Sequence, residues 1–263
     1  MIDNLKIKSG LNNFIIVGTQ RTGSSAIAEA VGLHPYITCG WEWTLREKRK
    51  NKIDFSKQAL TGDFSILLNK HQDHMAKVFS SQTKWLGFRR LFRSSDKWIL
   101  QPRFSPALWL DKFEEHLIWL SNNPNIHVIH IVRMDGIDWL KSMYVARKAK
   151  LYIGRPYPNN IRVHIPLWKA IRRLRSKNWV DIRLSSLSRS NPYIKIYYEE
   201  FLKDRNTITN ILFDFLSCDQ TINIFNRPKI YKQSRVGPKQ YISNYSQLKK
   251  AVENVNLLEP GLV

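Results

Sequence analysis

Cysteine is scarce in this chain: 263 residues carry only Cys39 and Cys218. Two thiols build neither a disulfide framework nor a cysteine-based metal cage. The histidines show no HExxH spacing, and His71 and His74, three apart, have no third ligand placed beside them, so no metal is expected. Long apolar runs are missing too. Phe14–Val17 is short, and Ile126–Val132 is interrupted by His127 and His130, whereas a membrane span needs roughly 18 apolar residues. The opening MIDNLKIKSGLNN lacks the apolar region of a secretory signal. These absences predict a cytoplasmic protein with reduced thiols and no membrane span. Linkers rich in Pro, Gly and Ser are absent, as are internal repeats, so a single domain over 1–263 is expected, with residues 1–13 as an extension.

Acid is also in short supply. The chain has 21 Asp+Glu against 42 Lys+Arg, a net charge of +21. Residues 162–189 hold eight Lys/Arg against Asp181 alone, and residues 220–251 hold no acid at all. Such a balance points to phosphate or sulfate somewhere on the protein, or to a basic, solubilising surface. A hydrophobic content of 43% and an aromatic content of 12% exclude a disordered basic tail. Nine tryptophans and ten tyrosines permit a non-enzymatic nucleic-acid or polyanion binder, since bases stack on aromatic rings. No RNP, KH or helix-turn-helix pattern accompanies them, and most aromatics follow apolar periodicity, so no nucleic-acid partner is expected.

What is present alternates. Phe14–Val17 reads as a buried strand ending at Gly18, followed by a small-residue loop and a helical stretch, SSAIAEAVGL. Ile126–Val132 reads as a second strand and Tyr193–Tyr198 as a third, with a helix from Glu199 or Glu200. Residues 104–121 have Trp109, Phe113, Leu117 and Leu120 on one helical face, and Thr207–Leu216 is a further helical run. Strands alternating with helices predict an α/β, P-loop-like domain: a central parallel β-sheet flanked by helices on both faces. Ligands bind such sheets at the carboxyl ends of the strands.

At the first such end stands Gly18-Thr19-Gln20-Arg21-Thr22-Gly23-Ser24-Ser25. This is P-loop spacing with Ser24 where the P-loop needs lysine. The anion-binding physics survives: a close backbone approach at Gly23, a helix N-terminus, the hydroxyls of Thr22, Ser24 and Ser25, and the planar fork of Arg21. The lysine that reaches β- and γ-phosphates is lost, which disfavours the alternative of a P-loop phosphotransferase. A plain strand–turn–helix corner also fits the loop taken alone.

FIIVGTQRTGSSAIAEAV resembles the opening of sulfotransferases that use 3′-phosphoadenosine 5′-phosphosulfate (PAPS), whose first loop holds the 5′-phosphosulfate. Gln20 stands where that family commonly has proline. The resemblance assigns Gln20, Arg21, Thr22, Gly23, Ser24 and Ser25 to the donor. It continues in IHVIHIVRMDGIDWLKSMYVARKA, where Arg133 and Ser142, nine apart, match the arginine and serine that grip the 3′-phosphate. A surface salt bridge from Arg133 to Asp135 or Asp138 is the plainer alternative. The spacing is most similar to the bacterial carbohydrate and glycolipid branch (trehalose and nodulation-factor enzymes). Trp85–Arg89 resembles the family's short strand ending in a basic residue, and IYYEEFLKD its Tyr-Glu strand-plus-helix. YKQSRVGPKQYISNYSQLKKAV resembles the branch's C-terminal segment, in which Lys232, Gln233, Ser234 and Arg235 would close over the nucleotide phosphates.

The resemblance implies sulfuryl transfer from PAPS to a small-molecule acceptor, with adenosine 3′,5′-bisphosphate (PAP) as product and no metal. Arg21 is expected on the leaving-group side, where an arginine that keeps its proton stabilises charge. The expected general base is Glu42, between Trp41 and Trp43, where desolvation raises a carboxyl pKa. His71 and His74 are the alternatives. Acceptor specificity is expected in 40–103 and 151–179.

Overall fold

Phe14, Ile15, Ile16 and Val17 are each 3% exposed or less, so one strand is covered on both faces. Such a strand belongs in the middle of a helix-sheathed parallel sheet, and β1 (Asn12–Thr19) is there. The computed structural model describes residues 12–34, 37–40, 85–92, 113–114, 117–118, 120–151, 156–218 and 237–256. After β1 come α1 (Ser24–Val31), β2 (Ile37–Gly40), β3 (Trp85–Phe92) and β4 (Ile126–Val132). They are followed by α2 (Gly136–Ala149), α3 (Leu167–Ser185), β5 (Tyr193–Tyr197), α4 (Tyr198–Lys203) and α5 (Arg205–Phe215). Two helices of the C-terminal part, α6 (Pro238–Tyr241) and α7 (Tyr245–Asn256), complete the described elements.

The sheet order is β2-β3-β1-β4-β5, and every pairing is parallel. Period-two alternation sends Phe14 and Ile16 of β1, with Ile129 and Ile131 of β4, to one face. There they pack with Ile27 and Val31 of α1, Phe201 of α4 and Leu212 and Phe213 of α5. Ile15, Val17 and Val128 go to the other face, against Val180 and Leu184 of α3 and the helical residues Phe113, Leu117 and Leu120. Helices on both faces of a parallel sheet give the α/β, P-loop-like fold expected. A third apolar cluster joins Trp139, Leu140 and Val145 of α2 to Leu174 of α3, to Tyr241 of α6 and to Leu248 of α7. Because β3 and β4 lie on opposite sides of β1, the strand order reverses there, and in open parallel sheets such a point is where ligands bind, at the carboxyl end of the strand.

The element bounds differ from the sequence expectation where tertiary pairing overrides local pattern. β1 begins at Asn12, two residues ahead of the apolar run, because Asn12 and Asn13 pair with Trp85 and Leu86. β2 was not legible at all: ITCG has no alternation and becomes a strand only by pairing with β3. β3 runs past Arg89 to Phe92. α4 starts at Tyr198, earlier than Glu199. α5 starts at Arg205, because Asp204 caps it by accepting from the Thr207 amide at 3.0 Å. Trp109 lies outside the described residues. Among the described residues no helix is long and apolar enough to cross a membrane.

A titratable ring is fully enclosed by this core. His130 of β4 has no exposed surface, and its Nδ1 is 2.6 Å from the Tyr193 hydroxyl. Its Nε2 lies 3.6 Å from Asp181 of α3, whose other oxygen accepts from the buried Lys177 at 2.7 Å. Burial pushes the His130 pKa down, partly offset by Asp181, and burial pushes Tyr193 up to about 12. With a folded-state pKa below the unfolded value near 6.5, His130 contributes stability that is complete above that value. It is lost as the pH falls toward the folded pKa, because only the unfolded chain takes up the proton. The partly buried His127 is shifted down by burial too and acts in the same direction. Chemical denaturation is therefore expected to show falling stability below about pH 6.5, with a shallower fall in His130→Gln.

Candidate anion site at the carboxyl ends of β1 and β4

The site starts with a missing side chain. A Cβ on Gly18 would lie 2.6 Å from the Ile131 carbonyl oxygen, so glycine lets β1 and β4 close together at their carboxyl ends. Beyond Thr19 the chain turns back at once. Thr22 donates its buried hydroxyl to the Thr19 carbonyl at 2.9 Å, which closes the turn. Arg21 takes a left-handed φ of 68°, uncommon without glycine, and Gly23 follows at 89° as the N-cap of α1. Gly23 has no side chain to bond the first-turn amides, and the loop is thereby shaped as a helix-N-terminal cradle.

The second arm comes from β4. Arg133 follows the strand directly and is 5% exposed. Its Nη1 donates to the Arg21 carbonyl at 2.9 Å, and its Nη2 pairs with Asp138. Asp138 also pairs with Lys141, itself 1% exposed, so two cations share one buried carboxylate. Asp135 accepts from the Asp138 amide at 2.7 Å and starts α2, which puts Ser142 on the second turn. Trp139 on the same helix donates its indole N–H to the Gln20 carbonyl at 2.7 Å.

The two arms touch. Arg21 donates through Nε to Ser142 Oγ at 3.0 Å and through Nη2 to the Tyr157 hydroxyl at 2.7 Å. The Arg133–Asp138 salt bridge weighed from the sequence is real. It does not turn Arg133 to the surface, because both partners are buried beside the loop. The Arg133 Nε is buried with no hydrogen-bond partner among the described residues.

A third strand end holds both arms in place. The Tyr198 ring is where a Gly23 Cβ would be, 2.1 Å from the nearest ring carbon, and the Arg133 guanidinium stacks 4.9 Å from the ring centroid. Burial raises the Tyr198 pKa, against the lowering effect of Arg133. Next to it, Glu199 accepts from the Met134 and Asp135 amides, both at 3.1 Å, and clamps the backbone after Arg133.

Of the residues singled out from the sequence, Gln20, Arg21, Thr22, Gly23, Ser24, Ser25, Arg133 and Ser142 thus form one loop-and-helix cluster. Thr22 differs in one respect: its only O–H is used inside the loop. Glu42, His71, His74, Lys232, Gln233, Ser234 and Arg235 lie outside the described residues. Tyr198, Glu199, Lys141, Trp139 and Tyr157 were not assigned roles from the sequence, and Asp138 was weighed only as the partner in a surface salt bridge. Asp138 and Lys141 are three apart on α2, so their pairing could have been found from helical spacing. Tyr157 could not, since its contact spans 136 residues with no local pattern.

In overall fold the chain resembles the sulfotransferase from Alicyclobacillus acidocaldarius, at 13% identity and a TM-score of 0.46, over 94% of this chain and 95% of that one. It also resembles the sulfotransferase domain of the Synechococcus PCC 7002 olefin synthase, at 15% identity and a TM-score of 0.41, over 97% of this chain and 90% of that one. No protein-family profile and no curated protein sequence matches the chain. Neither solved structure is similar enough to lend a residue role.

Gly23 makes the loop testable. Gly23→Ala meets both a left-handed backbone and the Tyr198 ring, and should lower stability by about 2–4 kcal/mol in chemical denaturation. Adding Tyr198→Ala should recover part of that loss by opening the space.

Proposed function

We propose that the protein is a PAPS-dependent sulfotransferase that moves the sulfuryl group of PAPS to a hydroxyl, or a nitrogen, of a small carbohydrate or secondary metabolite and releases PAP. The observation that carries this reading is the contact between two anion motifs 121 residues apart, Arg21 Nε on Ser142 Oγ at 3.0 Å. A nucleoside bisphosphate has two anions separated by one ribose, which suits two adjoining anion sites. A nucleoside triphosphate needs the lysine that Ser24 replaces.

In this reading the loop of Gln20–Ser25 and the start of α1 hold the 5′-phosphosulfate through backbone N–H groups and the Ser24 and Ser25 hydroxyls. Arg133, whose Nε has no partner among the described residues, and Ser142 hold the 3′-phosphate. Arg21 lies between them. It keeps its proton, so it stabilises charge developing on the leaving phosphate oxygen and does not act as an acid. The sulfuryl group passes in line from that oxygen to the acceptor, and catalysis is positioning plus electrostatics, as in phosphoryl transfer. Glu42 takes the acceptor proton, with His71 and His74 as the alternatives. Lys232, Gln233, Ser234 and Arg235 close over the phosphates.

Calorimetric titration with PAP tests the donor site. Wild type should bind, and Arg133→Ala should bind at least about tenfold more weakly, the size of one lost charge-assisted hydrogen bond. Glu42→Ala should keep PAP affinity within about twofold while slowing transfer by about 100-fold or more on an identified acceptor. Binding of ATP with magnesium in place of PAP would overturn the reading in favour of a phosphotransferase.

A further inference from the structure

We propose that Tyr157 is a positioning residue for Arg21, aiming its guanidinium at the anion site; the proposal rests on the donor site above. Tyr157 belongs to neither anion motif. It lies in the segment between α2 and α3, at 4% exposure, and among the described residues its hydroxyl bonds two groups in opposite senses. It accepts from Arg21 Nη2 at 2.7 Å and donates to the Ser142 carbonyl at 3.3 Å. One hydroxyl therefore touches the side chain of the first motif and the backbone of the second.

The segment that carries it is itself fixed. Val163 bridges to Ile242, with the Val163 amide donating to the Tyr241 carbonyl at 2.8 Å. The Asn244 side chain bonds both backbone groups of Ile165, accepting at 3.1 Å and donating at 2.9 Å. The Tyr157 ring stands edge-on to the Tyr241 ring, with centroids 6.1 Å apart. The phenol is thus presented from a rigid seat, and Arg21 reaches it from a loop held in a left-handed turn.

A free arginine side chain has several rotamers, and each misdirected one weakens its contribution to a bound anion. An acceptor at Nη2 and another at Nε fix the plane of the fork. The two bonds hold the guanidinium against Ser142, inside the cluster that the proposed donor site uses. Removing the hydroxyl alone leaves the ring packed on Tyr241 and takes away the acceptor at Nη2.

The test is a double-mutant cycle read by PAP titration. Tyr157→Phe should bind PAP about tenfold more weakly than wild type, with an unfolding midpoint in the absence of PAP close to that of wild type. Arg21→Ala should lose more. The double variant Arg21→Ala, Tyr157→Phe should be no weaker than Arg21→Ala alone, because a tyrosine acting only through Arg21 has nothing left to position. A merely structural tyrosine would give additive losses, and additivity overturns the proposal. Tyr157→Phe within about twofold of wild type overturns it as well. Should Tyr157→Phe not fold, Arg21→Lys carries the test. It keeps the charge but lacks the fork that joins Ser142 to Tyr157, so PAP affinity equal to that of wild type overturns the proposal and a tenfold loss supports it. Wild type that binds no PAP defeats the donor site itself, whereas wild type that binds while Tyr157→Phe is unchanged defeats only the role of Tyr157.

Discussion

The structure around the site depends on one hydrogen bond, from the Arg133 guanidinium to the backbone carbonyl of Arg21, at 2.9 Å. It joins the carboxyl ends of two neighbouring strands through a cation that the core otherwise has no reason to bury. A buried arginine is costly unless its charge is paired and hydrogen-bonded. Here Asp138 meets one edge, the Arg21 carbonyl another and the Tyr198 ring the face, while Nε keeps no partner among the described residues. Most of the local sequence follows from that demand. Asp138 must lie one turn into α2, so Asp135 must start the helix, so Glu199 must hold the amides before it. Gly23 must be glycine because Tyr198 occupies its side-chain volume.

The order of these dependencies explains what could be read in advance. The strands β1 and β4 and the loop were legible because each is a local pattern, a β-branched run or a glycine at a fixed offset, whereas the pair Arg133 and Ser142 was singled out through the family resemblance. Several helices were legible from 3.6-residue spacing, as with Phe113, Leu117 and Leu120, which share the core expected of them, whereas α3 was read in advance only as a basic stretch. β2 was not legible, because four residues carry no period and its identity lies in its partner. The fate of the Thr22 hydroxyl was not legible either. A threonine in an anion loop reads as a ligand donor until its distance to the Thr19 carbonyl is known. Tyr157 and Tyr198 share this character: each acts on a loop more than a hundred residues away, and no spacing rule connects them.

The polar group inside the opposite face of β4 obeys the same constraint with a different solution. His130 is three residues before Arg133 and lies on the α3 side of the sheet, beside Asp181 of that helix. It remains neutral by burial, with Tyr193 and Asp181 as neighbours, while Lys177 supplies the cation that Asp181 requires. One strand thus carries a neutral histidine at mid-sheet and a charged arginine at its end. The difference follows from how far each lies from the open edge of the sheet.

In the basic stretch 162–189, at least four of the eight cations are engaged with other side chains. Of its eight cations, Lys177 is spent on Asp181 inside the core and Arg183 on Glu114. Lys169 lies over the Trp168 ring at 5.1 Å and Arg173 over the Tyr144 ring at 5.6 Å. The backbone carbonyl of Arg162 accepts from Lys148 at 2.6 Å, so the chain before α3 is anchored by a cation too. Cations used this way pin α3 to its neighbours and cover apolar rings, as long basic side chains commonly do. A net charge of +21 therefore overstates what a ligand meets at any one place. At distances beyond about 10 Å salt screens the scattered surface charges. What persists at short range is the buried set at the carboxyl ends of β1 and β4, where burial limits screening and the charges of Arg133 and Lys141 are shared by a single carboxylate.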